Sequence, residues 1–151
     1  MVEMNGKNLR DTKLTELKEK LDTLDCQLGL AVIQVGQNEA SKVYVKQKEK
    51  LATELGYKFL HKVFDENVEQ DKLIRYIKKL NKDDSIDGIL VQMPLPDHLD
   101  SSLIQNTVDS YKDVDGLTFI NAGRLVQGMP SLVPCTPKGI LDLLDEHRTK
   151  L

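Results

Sequence analysis

Three places in this sequence set polar chemistry where apolar packing or a tight turn is expected: Lys48, Gln92, and the aspartates of Lys112-Asp113-Val114-Asp115-Gly116. At 100° per residue, with Tyr44 as origin, Leu51 lies at about −20°, Leu55 at about +20°, Ala40 at about −40° and Lys48 at about +40°. Lys48 therefore falls inside an apolar helical stripe, while Lys42 and Lys46 point the opposite way. A lysine snorkelling at the stripe's edge explains this blandly. A lysine withdrawn into a crevice beside an aromatic ring would instead be a usable acid or base near neutrality. Gln92 ends the most apolar run of the chain, just before Pro94-Leu95-Pro96. A glutamine there can donate and accept at once, and so suit both states of a proton-carrying lysine. Asp-Gly is first a turn signal. An aspartate held by such a turn can also accept two parallel hydrogen bonds from an amidine-like ligand edge.

These residues need elements to carry them. Leu14, Leu17, Leu21 and Leu24 are spaced 3, 4 and 3, predicting an amphipathic helix over Asn8–Leu24. Leu28–Val35 is an apolar run of strand length, closed by Gly36-Gln37-Asn38. A second helix is predicted from Ala40 to Leu55, stopped by Gly56 as its C′ glycine. Lys58–Phe64 reads as a second strand. Asn67 and Gln70 form a capping-box pattern ahead of a helix bearing Leu73, Ile74, Ile77 and Leu80. Ile86–Met93 is the third strand, nearly continuous in apolar residues as a central parallel strand should be. Asp100 caps a short helix through Val108, and Thr136-Pro137 is the N-cap and N1 of a last helix over Lys138–His147. The polar segment 119–136 reads as the exit from the compact domain. Strands alternating with helices imply a three-layer α/β/α domain with a mainly parallel sheet.

Composition narrows the partners. Twenty-one Lys and Arg against 24 Asp and Glu leave a net charge of −3, which disfavours a general binder of nucleic acid or anionic membrane. No apolar run approaches a membrane span, and the first residues show no signal-peptide h-region. Two cysteines and three scattered histidines predict neither a disulfide framework nor a metal site, and fit a reducing cytoplasm. The nine glycines form neither GxGxxG nor a P-loop, so no dinucleotide fingerprint is visible.

Taken in order, Ser41-Lys-Val-Tyr44-Val-Lys-Gln-Lys48 has the pattern SxxYxxxK, and Asp87-Gly-Ile-Leu-Val-Gln92-Met-Pro-Leu-Pro96 resembles DGILVQLPLP. Lys112-Asp-Val-Asp115-Gly116, Ile120-Asn-Ala-Gly-Arg124 and Pro134-Cys-Thr-Pro137 follow at matching spacing. From Asn5 to Leu144 the chain resembles the bifunctional methylenetetrahydrofolate dehydrogenase/methenyltetrahydrofolate cyclohydrolase family. The resemblance implies an N-terminal folate-binding domain, like that of the amino-acid dehydrogenases, over residues 1–118. It makes 119–151 the connection and first linking helix toward an NADP-binding Rossmann domain.

By the same resemblance Lys48 is the catalytic lysine, Tyr44 the ring that packs along the folate, and Gln92 the residue that tunes the lysine. Asp115 anchors the pterin's amino-pyrimidine edge. Val91, Met93, Pro94 and Leu95 wall the folate pocket, and Thr136 is a cleft contact. The implied reactions are NADP-dependent oxidation of 5,10-methylenetetrahydrofolate and hydrolysis of the methenyl product to 10-formyltetrahydrofolate, in one-carbon metabolism leading to purine biosynthesis. A homodimer is implied for the longer protein. Two prolines usual in the family, before the first strand and before KDVDG, are missing here, and the GRSxxVGxP nucleotide motif is absent. The chain is thus expected to be the folate-binding half of a longer enzyme, without NADP binding or dehydrogenase activity of its own. The competing expectations are a folate-binding module without turnover and an α/β interaction domain.

Overall fold

A computed structural model describes residues 4–148. Three parallel strands, β1 (Gly29–Val35), β2 (Lys58–Phe64) and β3 (Gly88–Val91), form a sheet in the order β2-β1-β3. β1 is central, and apart from the half-buried Leu30 its residues are buried, whereas β2 places Lys58 and Lys62 outward. Charges on an edge strand discourage pairing with another sheet. The helices are α1 (Gly6–Leu21), α2 (Glu39–Glu54), α3 (Gln70–Asn81), α4 (Ser101–Thr107), α5 (Phe119–Val126) and α6 (Cys135–Arg148).

The connection from β1 leads one way along the sheet to β2, and the connection from β2 passes back across β1 to β3. Right-handed crossovers in opposite directions put their helices on opposite faces. Alternation along the strands sorts the core accordingly. Ala31, Ile33, Val35, Ile89 and Val91 pack with Leu73, Ile77, Leu80 and Ile104 of α3 and α4. Val32 and Leu90 pack with Val45 of α2 on the other side. The strand order thus reverses between β1 and β3, and ligand sites in such sheets lie outside the carboxyl ends of the strands at that point.

Several boundaries differ from the sequence reading. The first helix starts at Gly6, because Asn5 Oδ1 accepts from the amides of Lys7 and Asn8 at 3.1 Å. It ends at Leu21, so Leu24 lies outside it and is exposed. α1 lies beside α6, where Lys13 Nζ meets Asp142 Oδ2 at 3.1 Å. The capping box at Asn67 and Gln70 does not form. Asp65 Oδ1 takes the Asn67 amide in a local turn, α3 starts at Gln70, and Gln70 Oε1 accepts from the Asp100 amide at 2.7 Å. Asp100 caps α4 as expected, through the Leu103 amide. β3 is shorter than Ile86–Met93, although the Asp87 and Gln92 amides still donate to β1 carbonyls at 2.8 Å.

The last helix begins at Cys135, its first turn closed by the Lys138 amide on the Pro134 carbonyl. Thr136 is therefore inside the helix, and Pro137 still sits in the first turn, where no intrahelical donor is required. The segment read as an exit loop contains α5, capped by Thr118.

Candidate functional site

α2 delivers Lys48. Among its described residues Ser41, Val45 and Ala52 are buried, and with Lys48 they follow the spacing 4, 3, 4 of one helical face. That face is centred roughly 70° away from Tyr44, rather than on it as the sequence arithmetic placed it. Small side chains at Ser41 and Ala52 let α2 approach the sheet along that line. Leu51 and Leu55 are half-buried at the margin, and Tyr44 is 59% exposed, one turn before Lys48. The aromatic ring therefore flanks the lysine from the open side.

β3 delivers Gln92. Its amide continues the sheet by donating to the Ile33 carbonyl at 2.8 Å, which fixes the backbone at the point where the strand order reverses. Its side-chain Nε2 donates to the Met93 carbonyl at 2.8 Å, leaving Oε1 to accept from Lys48 Nζ at 3.0 Å. Lysine has donors only, so both contacts demand the same amide orientation. Because Nε2 is engaged with Met93, Gln92 meets Lys48 as an acceptor only. The donor role expected from sequence is not made here. The Met93–Pro94 peptide that follows is cis.

The third element is the turn Asp113–Gly116, closed by the Gly116 amide on the Asp113 carbonyl at 3.1 Å. Asp113 extends the sheet through a bridge to Ile89 and is completely buried. Its Oδ2 accepts from the Thr118 amide at 2.8 Å and from Asn121 Nδ2 at 3.0 Å. Burial by itself would raise this carboxyl, but hydrogen bonds from the Thr118 amide, the Asn121 side chain, the Thr118 hydroxyl and the Leu117 amide hold it below its ordinary 3.8. Asp115 sits in the opposite situation. Burial pushes its carboxyl up, the Lys48 ammonium pulls it down and Asp113 pushes it up again, with a net rise. Asp115 therefore shares the electrostatic neighbourhood of Lys48, and Asp113 belongs to the scaffold beneath it.

Gly116 has φ +65°, and a Cβ there would lie 2.5 Å from the Leu132 carbonyl oxygen. The segment Leu132–Pro134 consequently runs directly over the turn and leads to Cys135. The Cys135 thiol contacts the Val114 carbonyl at 3.6 Å. Burial, then Asp115, raise its pKa against the pull of Lys48.

The structure thus brings Lys48, Gln92 and Asp115 together, with Tyr44 on the rim. Val91 and Leu95 are buried in the core on the α3–α4 side, Met93 packs against that core, and Pro94 is exposed. Thr136 is exposed beside Cys135 in the first turn of α6. Sequence reasoning from residue chemistry missed Cys135 and Asn121. Asn121 stood in the sequence only within the motif Ile120-Asn-Ala-Gly-Arg124, and a cue to its burial was Thr118, an N-cap type three residues earlier. Among the described residues there is no cluster of His, Cys, Asp or Glu fit for a metal ion, and no helix long and apolar enough to cross a membrane.

Comparison with known proteins bears directly on this geometry. Residues 4–115 match the family model described as tetrahydrofolate dehydrogenase/cyclohydrolase, catalytic domain. The chain is 48% identical over 144 residues to the bifunctional protein FolD of Vesicomyosocius okutanii, covering 94% of this chain and 51% of that one. The solved FolD methylenetetrahydrofolate dehydrogenase/cyclohydrolase of Campylobacter jejuni superposes with a TM-score of 0.92 at 45% identity, over 96% of this chain and 53% of that chain. The Trypanosoma brucei N5,N10-methylenetetrahydrofolate dehydrogenase-cyclohydrolase, solved with NADP cofactor and an inhibitor, superposes with a TM-score of 0.90 at 30% identity, over 95% and 51%. The chain spans about half the length of the curated relatives it matches.

Proposed function

The chain belongs to the tetrahydrofolate dehydrogenase/cyclohydrolase family, and on that premise we propose that the groove formed by Tyr44, Lys48, Gln92 and Asp115 binds a reduced folate and hydrolyses its methenyl bridge. The observation that carries this reading is the 3.0 Å hydrogen bond from Lys48 Nζ to Gln92 Oε1, at the point where the strand order reverses. In hydrolysis, water adds to the bridging carbon and gives one proton to the Lys48 amine. The bond from that carbon to N5 then breaks, N5 takes the proton from Lys48, and the new hydroxyl loses its own proton to solvent. The product is the 10-formyl compound. Gln92 Oε1 holds one N–H of Lys48 and so fixes where the nitrogen stands beside the end of β3. Asp115 receives the amino-pyrimidine edge by paired hydrogen bonds, and the exposed Tyr44 ring supplies stacking surface.

For the whole protein we propose the preceding step as well, oxidation of 5,10-methylenetetrahydrofolate with NADP as hydride acceptor. The described residues do not fit that cofactor. The glycine of the β1–α2 connection, Gly36, has Glu66 as its neighbour, with Cβ and Cγ at 3.6 Å from where a Cβ on the glycine would sit. An acidic side chain beside the turn opposes a pyrophosphate. On the family resemblance alone we also propose a homodimer working in the cytoplasm; light scattering on the whole protein tests the dimer.

The direct test is the decay of methenyl absorbance with the wild-type chain and with Lys48→Met. Turnover is expected to fall by about 10²-fold, with folate affinity changing far less. Folate binding without hydrolysis by the wild-type protein would reduce the site to a binding module. Wild-type turnover from a folded Lys48→Met would return Lys48 to a packing role.

A further inference from the structure

We infer that Asn121 is a positioning residue for folate: from α5, outside the groove, it sets the Asp113–Gly116 turn and thereby the carboxylate of Asp115. The inference rests on the folate reading of Asp115 given above. α5 is built the wrong way round for a helix held by apolar packing. Phe119, Ile120 and Val126 are exposed, at 70%, 57% and 88%, and the residue it buries is Asn121, at 1%. Burying an amide is favourable only where its hydrogen bonds are met. Here Nδ2 donates twice, to the Ser110 carbonyl at 2.8 Å and to Asp113 Oδ2 at 3.0 Å. Those acceptors lie on the approach to the turn and at its first residue.

Asp113 is the hinge of the arrangement. Its Oδ1 has no hydrogen bond among the described residues, so the orientation of the carboxylate depends on the donors gathered at Oδ2. Its backbone bridges Ile89 and closes the turn at Gly116. Asp115 stands two residues further on, between these two fixed points. Removing the Asn121 amide leaves the buried carboxylate with fewer donors, and the strain falls on the turn that aims Asp115 at the ligand.

A double-mutant cycle on the full chain separates positioning from general stability. Affinity for tetrahydrofolate is measured by fluorescence titration for wild type, Asn121→Ala, Asp115→Ala and the double variant. Asn121→Ala is expected to weaken binding about 10-fold in the wild-type background and to have no further effect once Asp115 is absent. Its loss of thermal stability should be the same in both backgrounds. Equal weakening in both backgrounds, or wild-type affinity from folded Asn121→Ala, overturns the inference. If Asn121→Ala does not fold, Asn121→Leu removes the same amide donor with little change in volume, and the same cycle decides with it. Failure of the wild-type chain to bind tetrahydrofolate at all would instead strike the folate reading itself.

Discussion

Replacing Gly116 by alanine tests whether the segment 132–134 is seated on the turn that carries Asp115. Two costs are separable. Gly116 has φ +65°, and placing an L side chain in that region costs about 1–2 kcal/mol. Alanine recovers about 0.4–1 kcal/mol of this by restricting the unfolded chain. The second cost is steric. The new Cβ would lie 2.5 Å from the Leu132 carbonyl oxygen, 2.9 Å from its carbon and 3.0 Å from the Pro134 nitrogen. All three are backbone atoms, so no side chain can rotate away, and either the turn or the 132–134 segment must shift. Overpacking of this kind costs about 1–3 kcal/mol. Gly56 is the internal control, because its φ is +78° and a Cβ there meets nothing within 4 Å.

Gly56→Ala should therefore destabilise by about 1 kcal/mol and Gly116→Ala by about 3 kcal/mol. For a chain of this size the difference is about 4–8 °C in melting temperature. Urea unfolding followed by circular dichroism measures both. Folate affinity should fall for Gly116→Ala, whose turn bears Asp115, and stay level for Gly56→Ala at the far end of α2. Equal destabilisation within about 0.5 kcal/mol would refute the close approach of 132–134 to the turn.

The two aspartates of the turn should separate by assay. Asp115→Ala is expected to weaken folate binding by about 10- to 100-fold, the scale of a charge-assisted contact, with little change in stability. Asp113→Ala strands the Thr118 amide and the Asn121 side chain, and should cost about 2–4 kcal/mol in urea unfolding. Acidification separates them as well. The Asp113 carboxyl is held below its ordinary 3.8, so its stabilisation is complete above that value and is lost as pH falls through the lower folded value. The Asp115 carboxyl is raised by burial, so it protonates first, at a pH above 3.8, and folate affinity should drop while the fold persists. Asp115→Asn should remove that step from the affinity–pH curve, and its survival would assign the step to another group. Lys48→Arg should fail in hydrolysis like Lys48→Met, since a guanidinium does not release its proton near neutrality; recovery of more than about a tenth of wild-type turnover would argue against proton transfer by Lys48.

Much of this molecule is local, and local features are legible in a one-dimensional pattern. β2 occupies Lys58–Phe64 as read, and β1 differs by one residue, because short apolar runs bounded by turn signals have few alternatives. Gly56 stops α2 and Asp100 caps α4 for the same reason: a left-handed residue and a capping carboxylate act within one turn. Lys48 could be placed on the buried side of α2 from its spacing alone. Which degree of that helix faces the sheet could not, since the apolar moment points toward Tyr44 and Leu51, while close approach follows the small residues Ser41 and Ala52. The capping box at Asn67 was a sound local pattern that lost to a tertiary one, with Gln70 drawn off to the Asp100 amide.

The division of labour between Asp113 and Asp115 belongs wholly to the tertiary structure. Two identical carboxylates, two residues apart, acquire opposite shifts because one gathers the donors of Thr118 and Asn121, while for the other burial outweighs the pull of Lys48. Asn121 is the same case from the other side. In sequence it lies in a polar segment read as an exit loop, and only when α5 forms and folds back on the turn does its amide find Ser110 and Asp113. Periodicity reports what a segment prefers to bury. What a buried polar group bonds to is set by chain distant in sequence, and that partner decides whether the group is a flaw, a prop or a site.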